Sequence, residues 1–237
     1  LGCGLAAVRR AATRFDIHSQ PGAGTVVLAV LEPEHHDGAP WPAPPRPWAG
    51  VSIGIEEPCG DAWGVSTVDD GLVIALSDGL GHGPHASLAS DVALDCLARL
   101  PDDLEGYLTK ANTALRETRG TVLAVCRLYP ERHQLECLSV GNITGRIYHG
   151  SQQQSLVPFN GTLGMHATPP RVKVMQYPWP PGATLVLWSD GLTSRADLRD
   201  GTDLLRHDPA VVAAAAHRDH TRNRDDATVV VAHHLVT

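Results

Sequence analysis

The chain has 237 residues, 43% of them hydrophobic, and a formal net charge of -7. That length can bury one substantial core plus a smaller strip, while the acidic balance and the lack of any long Lys/Arg run argue against nucleic acid as a partner. No run approaches the roughly 18 apolar residues of a membrane span, and the five cysteines are scattered without a Cys-x-x-Cys pair, which fits reduced thiols and a cytoplasmic setting.

The chain opens with Leu1-Gly2-Cys3-Gly4-Leu5, followed by a helical stretch in which Leu5, Val8, Ala12 and Phe15 share one face. Gly22-Ala23-Gly24-Thr25 then turns the chain into the apolar run Val26 to Leu31. This Gly-x-Gly-Leu start and Gly-x-Gly-Thr hairpin resemble the C-terminal end of an anti-sigma-factor serine kinase of the histidine-kinase-type ATPase fold. That resemblance implies that residues 1–33 are the remnant of an upstream ATPase domain in a longer chain. The Mg-binding Asn and adenine-reading Asp of that fold have no counterpart here, so no ATP binding is expected. The competing reading makes this strip an additional helix and hairpin of the domain that follows, or a dimerising element. Residues 34–47 carry Pro40, Pro42, Pro44, Pro45 and Pro47, a composition that favours a semi-rigid extended linker and hence a domain boundary.

From residue 48 onward, strand and helix text alternates. Cys59-Gly60-Asp61-Ala62-Trp63 precedes a strand, and Leu72 to Leu76 reads as a buried strand ending in Ser77-Asp78-Gly79-Leu80. Gly81-His82-Gly83-Pro84 follows, with Pro84 suited to a first helical turn and Leu88, Val92 and Cys96 forming an apolar stripe. Asp102 to Leu115 places Leu104, Leu108, Ala111 and Leu115 at helical spacing. Thr121–Leu128 and Gln134–Val140 read as a hairpin, Gly145–His149 as the next strand, and Val172, Val174 and Gln176 as another that the Pro178–Pro181 cluster ends. Thr184 to Trp188 runs into a second Ser189-Asp190-Gly191-Leu192. Asp208-Pro209 caps an Ala-rich helix, and Arg224-Asp225-Asp226-Ala227-Thr228 opens the run Val229 to Val231.

A glycine after a strand allows a positive φ and a close approach of backbone to ligand, so each of these acidic strand ends can stand at the mouth of a sheet. Several carboxylates converging on one spot repel unless a cation lies among them, and oxygen-rich acidic sites suit Mg(II) or Mn(II). The 13 histidines raise zinc as a competitor. His35-His36 belongs to the linker, however, and His217 with His220 forms a helical pair without further spaced ligands.

Taken in order, Gly60-Asp61, Asp78-Gly79-Leu80-Gly81-His82-Gly83, Gly141-Asn142, Asp190-Gly191-Leu192 and Asp225-Asp226-Ala227-Thr228 resemble the motifs of the metal-dependent type 2C serine/threonine phosphatases. The branch is the SpoIIE type, nearest to the feedback phosphatases of stress-response partner switching, and the resemblance covers residues 48–237. It implies an α+β fold, a four-layer α/β/β/α sandwich of two antiparallel sheets. It implies two Mn(II) or Mg(II) ions held by Asp61, Asp78, the Gly79 carbonyl, Asp190 and Asp225, with Asp78 bridging, Asp61 and Asp78 serving catalysis, and a metal-bound water as nucleophile. Asp225 and Asp226 both remain open as the last ligand.

Where eukaryotic relatives carry Glu before the first Asp, this chain has Gly60. No Arg near that motif matches the one they use to hold phosphate, which leaves Arg222 or Arg224, or the metals alone. His82 is either a proton-transfer group or a loop contact. The expected substrate is a phosphorylated STAS-type antagonist protein, and the alternative function is an inactive pseudophosphatase that binds a partner through the same pocket; an oligomer is compatible with either.

Overall fold

A computed structural model describes residues 4–32, 46–97, 103–194, 196–198 and 203–235. The chain begins with α1 (Leu5–Ala11), β1 (Arg14–Gln20) and β2 (Gly24–Val30). Then come β3 (Trp48–Ile53), β4 (Asp61–Val68), β5 (Gly71–Gly79), α2 (Pro84–Asp95) and α3 (Leu104–Ala114). The second half contains β6 (Thr121–Tyr129), β7 (Gln134–Val140), β8 (Thr144–His149), β9 (Gln152–Ser155), β10 (Met175–Pro178), β11 (Thr184–Trp188), α4 (Pro209–His220) and β12 (Ala227–His233).

Ten of these strands form two five-stranded sheets, ordered β10-β7-β6-β5-β4 and β3-β12-β11-β8-β9. Every pairing is antiparallel. The apolar runs are unbroken because the central strands are buried on both faces. Ile74 and Leu76 of β5 point into the core between the sheets with Leu185 and Leu187 of β11 and Val230 of β12, while Val73 and Ala75 turn the other way, toward Ala89, Ala93, Leu108 and Ala111 of α2 and α3. On the far side Val186, Trp188, Val229 and Val231 pack against Val212, Ala213 and Ala216 of α4. This is the expected four-layer α/β/β/α sandwich.

Several local expectations shift. The first helix ends at Ala11, and Phe15 lies in β1, because the chain must reverse into the hairpin. In α2 the buried positions are Ala86, Ala89, Ser90 and Ala93, and Leu88 is 52% exposed. Small residues let this helix lie close on β5, so alanines make its fully buried face, while Val92 and Cys96 of the expected stripe pack partly buried on the same core and Leu88 does not. Val172 and Val174 precede β10 and pack on the helix-side core without joining the sheet. Neither Gly79 nor Gly191 has a positive φ. What excludes a side chain at these two positions is proximity: a Cβ would collide with the Ala86 carbonyl oxygen at Gly79 and with the Asp226 carbonyl oxygen at Gly191.

The N-terminal hairpin β1–β2 forms its own two-stranded sheet, and it is docked. Arg14 pairs with Asp208, the N-cap of α4, at 2.9 Å. Asp16 accepts the Asp208 backbone N–H at 2.7 Å and sits 2.9 Å from His207 Nδ1. Burial pushes the Asp16 carboxyl up, but hydrogen bonds from the Asp208 backbone, His207 and the Ile17 backbone outweigh it and leave the group below its usual range. Val26 adds an apolar contact to the α4-side core. The linker expected over 34–47 lies almost wholly outside the described residues.

Candidate metal centre

The acidic residues come from four strand ends that the sheets bring to one edge of the sandwich. Asp61, first residue of β4, and Asp78, next to last in β5, are directly opposed in the β4–β5 register. Asp190 follows β11, and Asp225 precedes β12, its neighbour in the second sheet. Asp78, Asp190 and Asp225 line one open cleft of about 410 Å³, together with Leu80, Gly81, Val122, Gly141, Asn142, Asn160 and Gly161.

Each carboxylate is held differently. Asp61 is only 4% exposed and accepts a 2.6 Å hydrogen bond from Ser189 Oγ, which itself accepts the Thr228 backbone N–H at 2.9 Å. The serine of the second Ser-Asp-Gly-Leu therefore ties β11 and β12 to the start of β4. The serine of the first copy does a parallel job: Ser77 Oγ lies 2.7 Å from Thr121 Oγ1, which donates to the Asp78 carbonyl at 2.6 Å. Asp190 accepts from Asn142 Nδ2 at 2.6 Å.

Asp226 is committed elsewhere. Its two carboxylate oxygens accept the backbone N–H groups of Ile55 at 2.8 Å and Gly60 at 2.6 Å, so it clamps the β3–β4 loop under the site while Asp225 faces the cleft. A side chain on Gly60 would run into that carboxylate, which accounts for glycine at the position before Asp61.

The electrostatics follow from packing these groups together. Burial and then the neighbouring carboxylates Asp61, Asp190, Asp225 and Asp226 push Asp78 up to about 8. Burial likewise raises Asp61, to about 6, with Asp226 and Asp190 adding to it and hydrogen bonds from Ser189 and Thr228 opposing it. Asp190 is raised by burial and by Asp225, against the opposing influence of Arg222 and Asn142. A site that resists its own charge fits a divalent hard cation, which removes the repulsion and takes carboxylate oxygens as ligands. Among the described residues no group of three or more His, Cys, Asp or Glu side chains stands close enough to hold a metal ion as placed. Asp78, Asp190 and Asp225 line the cleft with Asp61 buried behind Asp78, an open arrangement that fits cations which retain several waters.

The other expected contacts separate. Arg222 is near enough to Asp190 to oppose its rise, and its backbone N–H donates to the Gly191 carbonyl at 2.9 Å. Arg224 is exposed. His82 is exposed and pairs with Glu56 at 2.9 Å, outside the lining of the cleft. Sequence reasoning passed over the supporting roles of Ser189, Thr121 and Asn142. Two of them sat in quoted motifs, Ser189 in the repeated tetrapeptide and Asn142 beside Gly141.

With this geometry in place, comparison with known proteins decides the family. The profile described as Stage II sporulation protein E (SpoIIE) matches residues 68–235. The chain belongs to the SpoIIE family. It is 27% identical over 135 residues to the phosphoserine phosphatase RsbX of Bacillus subtilis (strain 168), covering 56% of this chain and 67% of that one. A chain solved in work on the bacterial stressosome, as a modular system adapted to control secondary messenger signalling, superposes with a TM-score of 0.71 at 26% identity, covering 78% of this chain and 97% of that one. A crystal structure of RsbX in complex with magnesium gives a TM-score of 0.64 at 22% identity, over 78% and 92% of the two chains. The SpoIIE match spans every acidic strand end except Asp61, which the fold supplies through its pairing with Asp78.

Proposed function

We infer that this SpoIIE-family chain is a metal-dependent serine/threonine protein phosphatase that cleaves phosphoserine or phosphothreonine by direct hydrolysis. The observation that carries the reading is the meeting of acidic strand ends at one edge of the sandwich, Asp78, Asp190 and Asp225 lining the cleft and Asp61 opposed to Asp78, in a chain similar to a phosphoserine phosphatase. Asp61, Asp78, the Gly79 carbonyl, Asp190 and Asp225 would hold Mn(II) or Mg(II), two ions per site. Bound there, the cations would supply a coordinated water of near-neutral pKa and positive charge facing the phosphoryl oxygens.

The chain's own residues do the positioning. Ser189 fixes Asp61, Asn142 fixes Asp190, and Asp226 holds the Gly60 backbone so that Asp61 enters β4 in register with Asp78. Arg222 supplies positive charge on the Asp190 side. No serine or cysteine nucleophile is needed, because water attacks phosphorus directly. Strand-end aspartates gathered at one edge, in a chain similar to a phosphoserine phosphatase, support the active reading over the inactive partner-binding one.

The substrate we propose is a phosphorylated STAS-domain protein of a partner-switching system, as the likeness to RsbX and to the stressosome chain supports, acting in the cytoplasm. Among the described residues no helix is long and apolar enough to cross a membrane. We also propose the division into an ATPase-like remnant (1–33), a linker (34–47) and a phosphatase domain (48–237), with the hairpin docked on α4.

The test is hydrolysis of an aryl phosphate and of a phosphoserine peptide in Mn(II), Mg(II) and chelator, with Asp78→Asn alongside. Mn(II)-dependent turnover that falls on the order of a thousandfold in the variant is expected. A variant with near-normal rate sinks the assignment of Asp78.

A further inference from the structure

We propose that Arg119 is a substrate-binding residue of this cleft, its guanidinium gripping phosphoryl oxygens of the phosphomonoester at the rim. The inference rests on the phosphatase reading of the site and adds to it the cationic contact that the sequence motifs lack.

Arg119 lies in the short segment between the helical turn Leu115–Glu117 and β6. Its main chain is pinned on both sides. Thr118 Oγ1 donates to the Leu115 carbonyl at 2.7 Å and accepts the Gly120 N–H at 3.0 Å, and the Gly120 carbonyl accepts the Leu80 N–H at 3.1 Å. The segment is thereby fastened to the loop whose Leu80 and Gly81 line the cleft. The guanidinium reaches over that loop: a Cβ on Gly81 would stand 3.2 Å from Arg119 Nη1. Gly81 has a φ of 86°, so glycine there both permits the backbone and leaves room for the arginine.

The guanidinium is also unspent. Arg14, Arg127, Arg132 and Arg218 all pair with carboxylates, and Arg146 donates to the Ser194 and Ala196 carbonyls. Arg119 makes no hydrogen bond or ion pair with any described residue, although Gly81, which its guanidinium approaches, lines the cleft with three aspartates. Four carboxylates against two divalent cations leave the site without net positive charge to draw in a phosphomonoester dianion. A planar fork of N–H donors at the entrance offsets this and matches two phosphoryl oxygens at once. Arg222 stands on the Asp190 side, whereas Arg119 stands over Gly81, so the two cations serve different edges of the opening.

The experiment compares the full chain with Arg119→Ala and Arg119→Lys, loaded with Mn(II). It measures kcat and KM on a phosphoserine peptide, calorimetric binding of orthophosphate, and Mn(II) affinity. Arg119→Ala is expected to lower kcat/KM by on the order of tenfold or more and to weaken orthophosphate by a similar factor, with Mn(II) affinity and melting temperature unchanged. Arg119→Lys should recover part of the loss, since it restores the charge without the fork. Orthophosphate affinity and kcat/KM both within twofold of the parent in Arg119→Ala overturn the proposal while leaving the phosphatase reading intact. A parent that binds orthophosphate through Arg119 but never turns over supports the contact and sinks hydrolysis. A parent that neither binds orthophosphate nor turns over overturns both.

Discussion

Asp61 and Asp78 are directly opposed across β4 and β5, two carboxylates on neighbouring strands at the edge of a buried sheet. Like charges in such a position destabilise a strand pair, and here Asp190 and Asp225 add to the repulsion from the cleft that Asp78 lines. The arrangement costs folding free energy in the absence of a cation, and on the proposed reading a bound cation would relieve it, so stability and activity are expected to respond to the same residues.

The pH dependence of the metal-free protein follows from the sign of the shifts. Asp78 moves up to about 8 and Asp61 to about 6, so between the unfolded value and these values the folded chain binds more protons than the unfolded one, and stability falls as pH rises. His217 and His233, lowered by burial, act in the opposite direction around neutrality and must be cancelled out. Unfolding of Asp78→Asn and the parent in chelator, compared at about pH 5.5 and 8.5, achieves that. The variant should gain on the parent by up to about 1.4 kcal/mol per pH unit, and Mn(II) should stabilise the parent more. A difference that stays flat with pH contradicts the assigned strain.

Ser189→Ala removes the hydroxyl shared by Asp61 and the Thr228 N–H. Both partners are buried, so a loss of about 1–3 kcal/mol is expected. Chemical denaturation in chelator reads it, with a larger loss at pH 8 than at pH 5.5 because Asp61 then carries its charge without its donor.

Asn142→Ala frees Asp190 from its 2.6 Å hydrogen bond. The carboxylate should become harder to ionise and less well aimed, raising the Mn(II) concentration for half-maximal activity several-fold while the rate at saturating Mn(II) changes little. Titration with Mn(II) at fixed substrate separates the two. An unchanged Mn(II) requirement means that Asn142 does not position Asp190 for metal.

Asp16→Ala removes the acceptor that ties β1 to His207 and to the N-cap of α4. Asp208 still caps α4 through Ala210, so the helix should persist while the hairpin loosens. Limited proteolysis is expected to cut within residues 12–32 faster than in the parent, with the melting temperature of the remaining domain little altered. Equal cutting rates would falsify the docking role.

Much of the fold was legible because its cues are local. The strands at 72–76 and 184–188, the hairpin at 121–140 and the Asp208-Pro209 cap were all read within a residue or a few of where they lie. The misreadings share a cause. Periodicity puts Leu88 on the buried stripe and Val172 and Val174 in a strand, yet α2 fully buries its alanines, with Val92 and Cys96 only partly covered and Leu88 exposed, and Val172 and Val174 meet the core from a segment outside the sheet. Periodicity reports which residues are apolar, whereas the neighbouring surface decides which of them are covered.

The sequence by itself determined that Asp61, Asp78, Asp190 and Asp225 stand at strand ends, since apolar runs and Asp-Gly turns are encoded within a few residues. Only the tertiary structure decided how they are used. The β4–β5 register set Asp61 against Asp78, and the β11–β12 pairing brought Ser189 to Asp61. The β3–β4 loop took Asp226 as a clamp and left Asp225 to the cleft. Arg119 had no motif to mark it, because its place over Gly81 depends on a loop joined to another loop by backbone hydrogen bonds. Such contacts between residues tens of positions apart are set by how sheets and loops pack, and spacing along the chain carries no record of them.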